Sequence, residues 1–381
     1  MSAVKRKNFY TIFPRTENFH LVKDVGMVPY ILHRFYGYQS TIATYKNTDS
    51  YPFLNTEVQG LKLDFIPQTY RSRNANVALY ILKNFRKIDA LQFYHFEIDQ
   101  VDMLGLFIIL KKIFFQKSFT CIKCDGSDRF TNTDLSTVKF KFFRKWVISK
   151  INLFTVETSC DFNIIKSLKD YQNINLQLMP NGFFDGGKTI DISPKKEKII
   201  LTVGRLGTAQ KNTEFLLEAF AAFAKTDPEW QLYLVGSIEE SFQPQIEKFY
   251  SKNPALKARV VFTGAITDRE IIGEYYRKSA VFILTSRAEG SPLVVPEALS
   301  AGCFHLLSDR INLKDDIICN GRFGRSFSIQ DKADLIAAFH SLNQIDFEIL
   351  KFEIQNFAYD LFYWPKVVEI IDTHFKKSIH N

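Results

Sequence analysis

Short apolar runs alternate with segments of helical spacing through most of the second half of the chain. Residues 198–203 form an apolar run, residues 212–225 place Leu216, Leu217, Phe220 and Phe223 on one helical face, and residues 231–235 form another run closed by Gly236. The rhythm continues with strands expected over 259–263, 280–285 and 304–308 and helices over 268–278 and 293–301. Strands that alternate with helices imply right-handed crossovers and a parallel sheet covered on both faces. The first half follows the same grammar less clearly, with strands expected over 9–13, 40–44, 90–94, 119–123 and 153–157. The pattern therefore predicts an α/β protein of two doubly wound domains. The boundary is expected just after Pro180-Asn181-Gly182, where Gly186 and Gly187 precede a charged stretch. Pro365 interrupts a helical pattern running over 346–374 and predicts a break there.

Composition narrows the class. With 381 residues, 46% of them hydrophobic and 37 of them Phe, the chain can bury a large core, which excludes a disordered or fibrous protein. The longest apolar stretch, 103–110, is interrupted by Gly105 and ends at Lys111 and Lys112, well short of the roughly 20 residues that cross a bilayer. The opening MSAVKRKNFYTIF is basic without an apolar core, so a cytoplasmic location is expected. Cysteines 121, 124, 160, 303 and 319 are odd in number and scattered, which fits reduced thiols. The net charge of +8 is one-sided: residues 1–185 hold 25 basic and 16 acidic side chains, so the excess lies in the first half. Such a field suits an anionic partner.

In a doubly wound sheet, ligands bind beyond the carboxyl ends of the strands. Two segments there carry chemistry. Gly204-Arg205 follows the 198–203 strand, and Lys211 comes six residues later at the mouth of a helix. A guanidinium and an ammonium beside helix amides would suit a diphosphate, although a surface Gly-Arg is common. The second segment, Arg287-Ala288-Glu289-Gly290-Ser291-Pro292-Leu293-Val294-Val295-Pro296-Glu297, lies between a strand and a helix. Glu289 sits in the loop, Gly290 and Ser291 let the backbone come near a ligand, and Glu297 could accept hydrogen bonds from neighbouring sugar hydroxyls.

The Glu-x7-Glu spacing with Glu-Gly-Ser-Pro-Leu inside it, preceded by Gly-Arg-Leu and Lys211-Asn212, resembles the retaining GT-B glycosyltransferases of family 4, over roughly residues 199–309. The resemblance implies two Rossmann-like domains facing a cleft, with a C-terminal helix that crosses back to the first. The domains are then 1–185 plus 363–381, which binds the acceptor, and 186–362, which binds a nucleotide-diphosphate sugar. It implies that Arg205 and Lys211 bind the diphosphate and neutralise the leaving nucleotide, and that Glu289 touches the donor sugar. Gly204 would approach the donor too; amides from Gly290 through Ser291 and Pro292 to Leu293 would hold sugar and phosphate. Glu297 would bind the ribose, and the loop with Ala265 and Ile266 the base. No metal or other cofactor is implied beyond the nucleotide sugar as co-substrate. The expected acceptor is a hydroxyl on a glycan or lipid-linked molecule of bacterial surface polysaccharide or glycolipid synthesis. The alternatives are a degenerate GT-B subunit that binds glycan or steadies a partner, and a nucleotide-sugar epimerase.

The first domain departs from the family, many of whose members have a His facing the donor at a strand end. Here residues 119–123 lead into Cys124-Asp125-Gly126, so Asp125, aided by Lys123, is the catalytic candidate and His95 the runner-up; a turn-forming Asp explains the residue as well. Gly26 would let the first helix approach the donor, or simply start that helix. His95-Phe96-Glu97 with Cys121-Ile122-Lys123-Cys124 echoes a zinc deaminase signature without its Pro, and Glu97-Ile98-Asp99 echoes an acidic metal motif; both are set aside for the strand and helix pattern. Residues 103–124 and 135–156 contain basic residues and no acids, and Phe140, Phe143, Val147, Ile151 and Phe154 are spaced along one helical face. This surface is expected to dock on an anionic membrane, at the inner face of the plasma membrane, unless the face simply packs on the core. No stacking or helix-turn-helix motif points to nucleic acid.

Overall fold

The computed structural model describes residues 7–380. The chain divides into two compact units, one of residues 1–181 with 364–381 and one of residues 182–363. The division falls a few residues before the expected 185/186 boundary.

Among the described residues of the first unit, seven parallel strands lie in the order β3-β2-β1-β4-β5-β6-β7. They are β1 (Lys7–Ile12), β2 (Tyr38–Thr44), β3 (Lys62–Phe65), β4 (Ala90–Tyr94), β5 (Phe119–Cys124), β6 (Leu153–Val156) and β7 (Leu176–Leu178). The central strands β4, β5 and β6 are buried along their whole length, as continuous apolar runs covered on both faces require. The order turns back between β1 and β4, so the loops after these strands diverge and leave room above the sheet.

The last helix, Trp364–His380, belongs to this unit, where it packs against the helix Asp24–Tyr36. Tyr38 donates to Asp372 Oδ1 at 2.8 Å, and Tyr36 donates to the Pro365 carbonyl at 2.6 Å. The expected break falls at Phe362 and Tyr363, between the helices Phe347–Leu361 and Trp364–His380. Pro365 lies in the first turn of the second helix, where its missing N–H costs nothing.

In the second unit six parallel strands lie in the order β10-β9-β8-β11-β12-β13. They are β8 (Glu197–Val203), β9 (Gln231–Val235), β10 (Val260–Gly264), β11 (Ser279–Leu284), β12 (Phe304–Ser308) and β13 (Gly324–Phe327). Here the order turns back between β8 and β11, which pair directly.

One helical expectation fails. Only Lys141–Lys150 is helical within 135–156, and Phe154 belongs to β6. Val147 is buried, and with Phe143 it meets Gly105 of the helix Ile98–Ile113 so closely that a Cβ there would lie 2.8 Å from Val147 Cγ2. The apolar side of this helix thus packs inward at Val147 and Ile148, while Phe140 and Phe142 face solvent. Among the described residues no helix is long and apolar enough to cross a membrane.

Candidate functional site

The loops after β8 and β11 meet at the turning point of the second sheet. Gly204 follows β8 with φ +152°, and Gly236, which follows the neighbouring β9, has φ +143°. A Cβ on Gly236 would stand 1.8 Å from the Gly204 carbonyl oxygen, so only glycine lets the two loops run this close. Gly204, Arg205 and Lys211 line one small cavity together with Thr285 and Ser286 from the end of β11. Arg205 is exposed, while Lys211 is half-buried and reaches across the loops to Glu289. Its Nζ stands 2.5 Å from Glu289 Oε1. The Lys211 carbonyl is held by Thr285 Oγ1 at 2.9 Å. Three of the four charged residues singled out from the sequence therefore meet in one place.

Glu289 is fixed from its other side as well. Its carbonyl accepts from Asn312 N at 2.9 Å and its amide donates to the Arg310 carbonyl at 3.3 Å; Gly290 accepts from Leu313 N at 3.2 Å. Ser291 is buried, and Pro292 and Leu293 are half-buried where the chain enters the helix Val294–Ser300. Glu297 lies in that helix and accepts a hydrogen bond from Tyr276 at 3.1 Å. Glu297 is exposed on that helix, and desolvation on its protein-facing side pushes its carboxyl up, against Arg269 and the Tyr276 hydroxyl, which pull it down. Ala265 and Ile266 follow β10, two strands from β8, so the strand order alone does not bring them onto the Lys211–Glu289 pair.

The first unit resolves the choice between Asp125 and His95 differently from either expectation. In the β4/β5 register Tyr94 faces Lys123, so the next residues on each strand are His95 and Cys124, followed by Asp125. His95 adopts a left-handed φ of +67°, held by its N–H on the Lys123 carbonyl at 2.7 Å, and its Nδ1 meets Asp125 Oδ1 at 2.9 Å. Burial pushes the Asp125 carboxyl up, but the His95 imidazole outweighs it and holds the pKa below the ordinary value. The two candidates are one pair.

Lys123 does not aid Asp125. Its ammonium is buried, paired with Glu157 and with Asp24 Oδ2 at 3.4 Å, and it donates to Asn181 Oδ1 at 3.1 Å. Burial lowers the Lys123 pKa, but Glu157 and Asp24 more than restore it, so it stays charged. Burial also pushes the Glu157 carboxyl up to about 7, with Lys123 opposing and Asp24 adding to the rise.

Gly26 serves packing within its unit: a Cβ there would fall 2.0 Å from the Leu21 carbonyl oxygen, so glycine is needed for the helix to fold back on the preceding turn. Cys121 and Cys124 are both buried in β5, three residues apart, which points them to opposite faces of the sheet. Among the described residues no group of three or more His, Cys, Asp or Glu side chains is arranged to hold a metal ion. Glu97 pairs with Arg129.

Comparison with known proteins agrees with this architecture. Residues 197–344 match the family described as Glycosyl transferases group 1. The chain is 36% identical over 110 residues to the amylovoran biosynthesis glycosyltransferase AmsD of Erwinia amylovora, a stretch covering 28% of each protein. It is 29% identical over 146 residues to the lipopolysaccharide 1,6-galactosyltransferase of Salmonella typhimurium, covering 37% of this chain and 39% of that one. The matched stretches span less than half the length of these curated relatives. Among solved structures, Anabaena HepE in complex with UDP superposes with a TM-score of 0.69 at 12% identity, covering 97% of this chain and all of that one. Two Rossmann-like units and this structural likeness give the chain the GT-B fold, and its second unit, over residues 197–344, is similar to the group 1 glycosyltransferases.

Proposed function

We propose that the protein is a retaining glycosyltransferase that moves a sugar from a nucleotide-diphosphate donor to a hydroxyl of a glycan or lipid-linked acceptor in surface polysaccharide or glycolipid synthesis. The observation that carries it is the Lys211–Glu289 pair, set with Gly204-Arg205 at the turning point of the second sheet. As the bond from sugar to phosphate breaks, negative charge grows on the diphosphate. Arg205 and Lys211 stabilise that growing charge more than the ground state, which is what lowers a barrier. Two cations at the strand ends answer the electrostatic need that a metal meets elsewhere, so none is asked for. Glu289, released from Lys211 when phosphate arrives, is free to accept hydrogen bonds from the donor sugar, and Glu297 from a ribose.

A carboxylate nucleophile is not required. In the front-face route that the family resemblance suggests, the departing phosphate oxygen takes the proton from the acceptor hydroxyl. The sugar carbon then exchanges its bond to phosphate for one to the acceptor on the same face. The His95–Asp125 pair is proposed to orient the acceptor side. The names of the amylovoran and lipopolysaccharide relatives support the substrate class, and the UDP held by HepE supports a nucleotide-diphosphate donor.

The basic first unit is proposed to dock on anionic lipid at the inner face of the plasma membrane. Phe115, Phe140 and Phe142 are 98%, 79% and 81% exposed, beside Lys112, Lys117, Lys139 and Lys141. Sedimentation with anionic and neutral vesicles tests this; equal binding to both ends the membrane proposal.

The main test is a thermal-shift screen against nucleotides and nucleotide sugars, since a ligand of the folded form raises its melting temperature. Donor hydrolysis by the wild type and by Glu289→Ala follows. Turnover that falls in the variant supports the enzyme, whereas a glycan-binding or partner-stabilising subunit shows no turnover in either.

A further inference from the structure

We propose that Arg287 is a positioning residue that locks Lys211 and Glu289 into one geometry, an inference that rests on the donor-binding proposal above. Arg287 stands two residues before Glu289 and is exposed, yet it is tied to the opposite loop by three hydrogen bonds. Its amide donates to the Gln210 carbonyl at 2.7 Å, its Nε to the Ala209 carbonyl at 3.1 Å, and its Nη2 to Asn212 Oδ1 at 2.8 Å. Gln210 returns a bond from Nε2 to the Ala288 carbonyl at 2.9 Å. The residues gripped, Ala209, Gln210 and Asn212, bracket Lys211 on both sides, and the residues gripping, Arg287 and Ala288, lead directly into Glu289.

Asn212 matters for a second reason. It is buried and left-handed, with φ +55°, and it introduces the helix Thr213–Phe223. A non-glycine residue in that region is strained and persists when its surroundings over-determine it. The Arg287 fork does so, because a planar guanidinium can bond a carbonyl and a side-chain amide at once. A lysine carries a single point of charge and cannot reproduce the fork. The clasp holds the backbone of the two loops, leaving the ammonium and carboxylate as the groups that exchange partners when phosphate arrives. Its effect on binding must therefore run through them, as preorganisation.

The test is a double-mutant cycle on the full chain, using calorimetric binding of UDP, ADP, GDP and inorganic pyrophosphate. Whichever of these the wild type binds most tightly is the probe. Arg287→Ala is expected to weaken it about tenfold in the wild-type background and less than about twofold in Lys211→Ala, since a residue acting through Lys211 has little left to lose. Equal factors in the two backgrounds overturn the proposal. Arg287→Lys should not restore affinity; full rescue also overturns it. Asn212→Gly keeps the left-handed backbone while removing the fork's side-chain acceptor, and should show the same dependence on Lys211 if Arg287→Ala folds poorly. Hydrogen exchange without nucleotide gives a separate readout: Arg287→Ala should speed exchange at residues 209–212, and unchanged exchange refutes the clasp. A wild type that binds none of the four probes removes the donor-binding proposal itself, and the positioning role falls with it.

Discussion

Replacing Glu157 with Gln should flatten the pH dependence of stability in the first unit. Glu157 is only 5% exposed and pairs with Lys123, which also holds Asp24 and Asn181, while the charges of Asp24 and Asp125 act on it. The cluster sets two carboxylates, Glu157 buried and Asp24 partly exposed, against one ammonium, so a proton on Glu157 relieves an excess negative charge. Its pKa rises from 4.5 to about 7 in the fold. The folded state then holds a proton that the unfolded chain releases, and stability must fall as pH rises between those values. With about 1.4 kcal/mol for each pKa unit, this group removes about 2 to 3 kcal/mol between pH 5 and pH 8. Lys123 keeps its charge throughout and contributes no slope in that window. Urea unfolding followed by tryptophan emission reads the effect, because Trp146 and Trp364 belong to the first unit. The difference in unfolding free energy between wild type and Glu157→Gln should shrink by that amount as pH rises from 5 to 8. Curves that stay parallel within about 0.5 kcal/mol would refute the buried-proton argument.

Other perturbations probe other parts of the molecule. Gly236→Ala should cost at least about 2 kcal/mol and abolish nucleotide-induced stabilisation, because its Cβ would collide with the Gly204 carbonyl; differential scanning calorimetry with and without nucleotide checks both. Tyr276→Phe removes the hydroxyl that orients Glu297, and calorimetry should show affinity lost for nucleoside diphosphates and unchanged for inorganic pyrophosphate, which has no ribose. Phe115→Gly should stabilise the fold by about 1 kcal/mol, since Phe115 is left-handed at φ +51° and 98% exposed, and should weaken sedimentation with anionic vesicles.

The central strands are legible in the sequence because burial on both faces writes them as mostly apolar runs. The strands that escaped notice, β3, β7 and β13, all lie at sheet edges, where short and partly exposed segments such as Lys62–Phe65 lose that pattern. The spacing around Glu289 singled out a loop that the fold brings against Lys211, since polar groups at a strand end concentrate in a few adjacent positions. What the sequence could not reveal depends on which strands are neighbours. His95 and Asp125 are 30 residues apart, and only the β4/β5 register makes them a pair. Lys123 reads as an aid to Asp125 until its ammonium is seen to pair with Glu157 beyond β6 and with Asp24. Arg287 stood inside the quoted motif without a role, because its partners are the backbone carbonyl of Ala209 and the side chain of Asn212 in another loop. The acid-free window 135–156 departs from its pattern for a related reason: the helical spacing runs on across Ile151 into β6, where the chain is a strand.

The central claim is that Arg205, Lys211 and Glu289 form a seat for a sugar-linked diphosphate. Calorimetric titration of the full chain with UDP-sugar, ADP-sugar and GDP-sugar donors, repeated on Lys211→Ala, tests it most directly. One donor should bind the wild type, and Lys211→Ala should weaken it at least about tenfold, the loss of one charge-assisted contact to phosphate. Binding that survives in Lys211→Ala at wild-type strength would place the donor elsewhere and contradict the account.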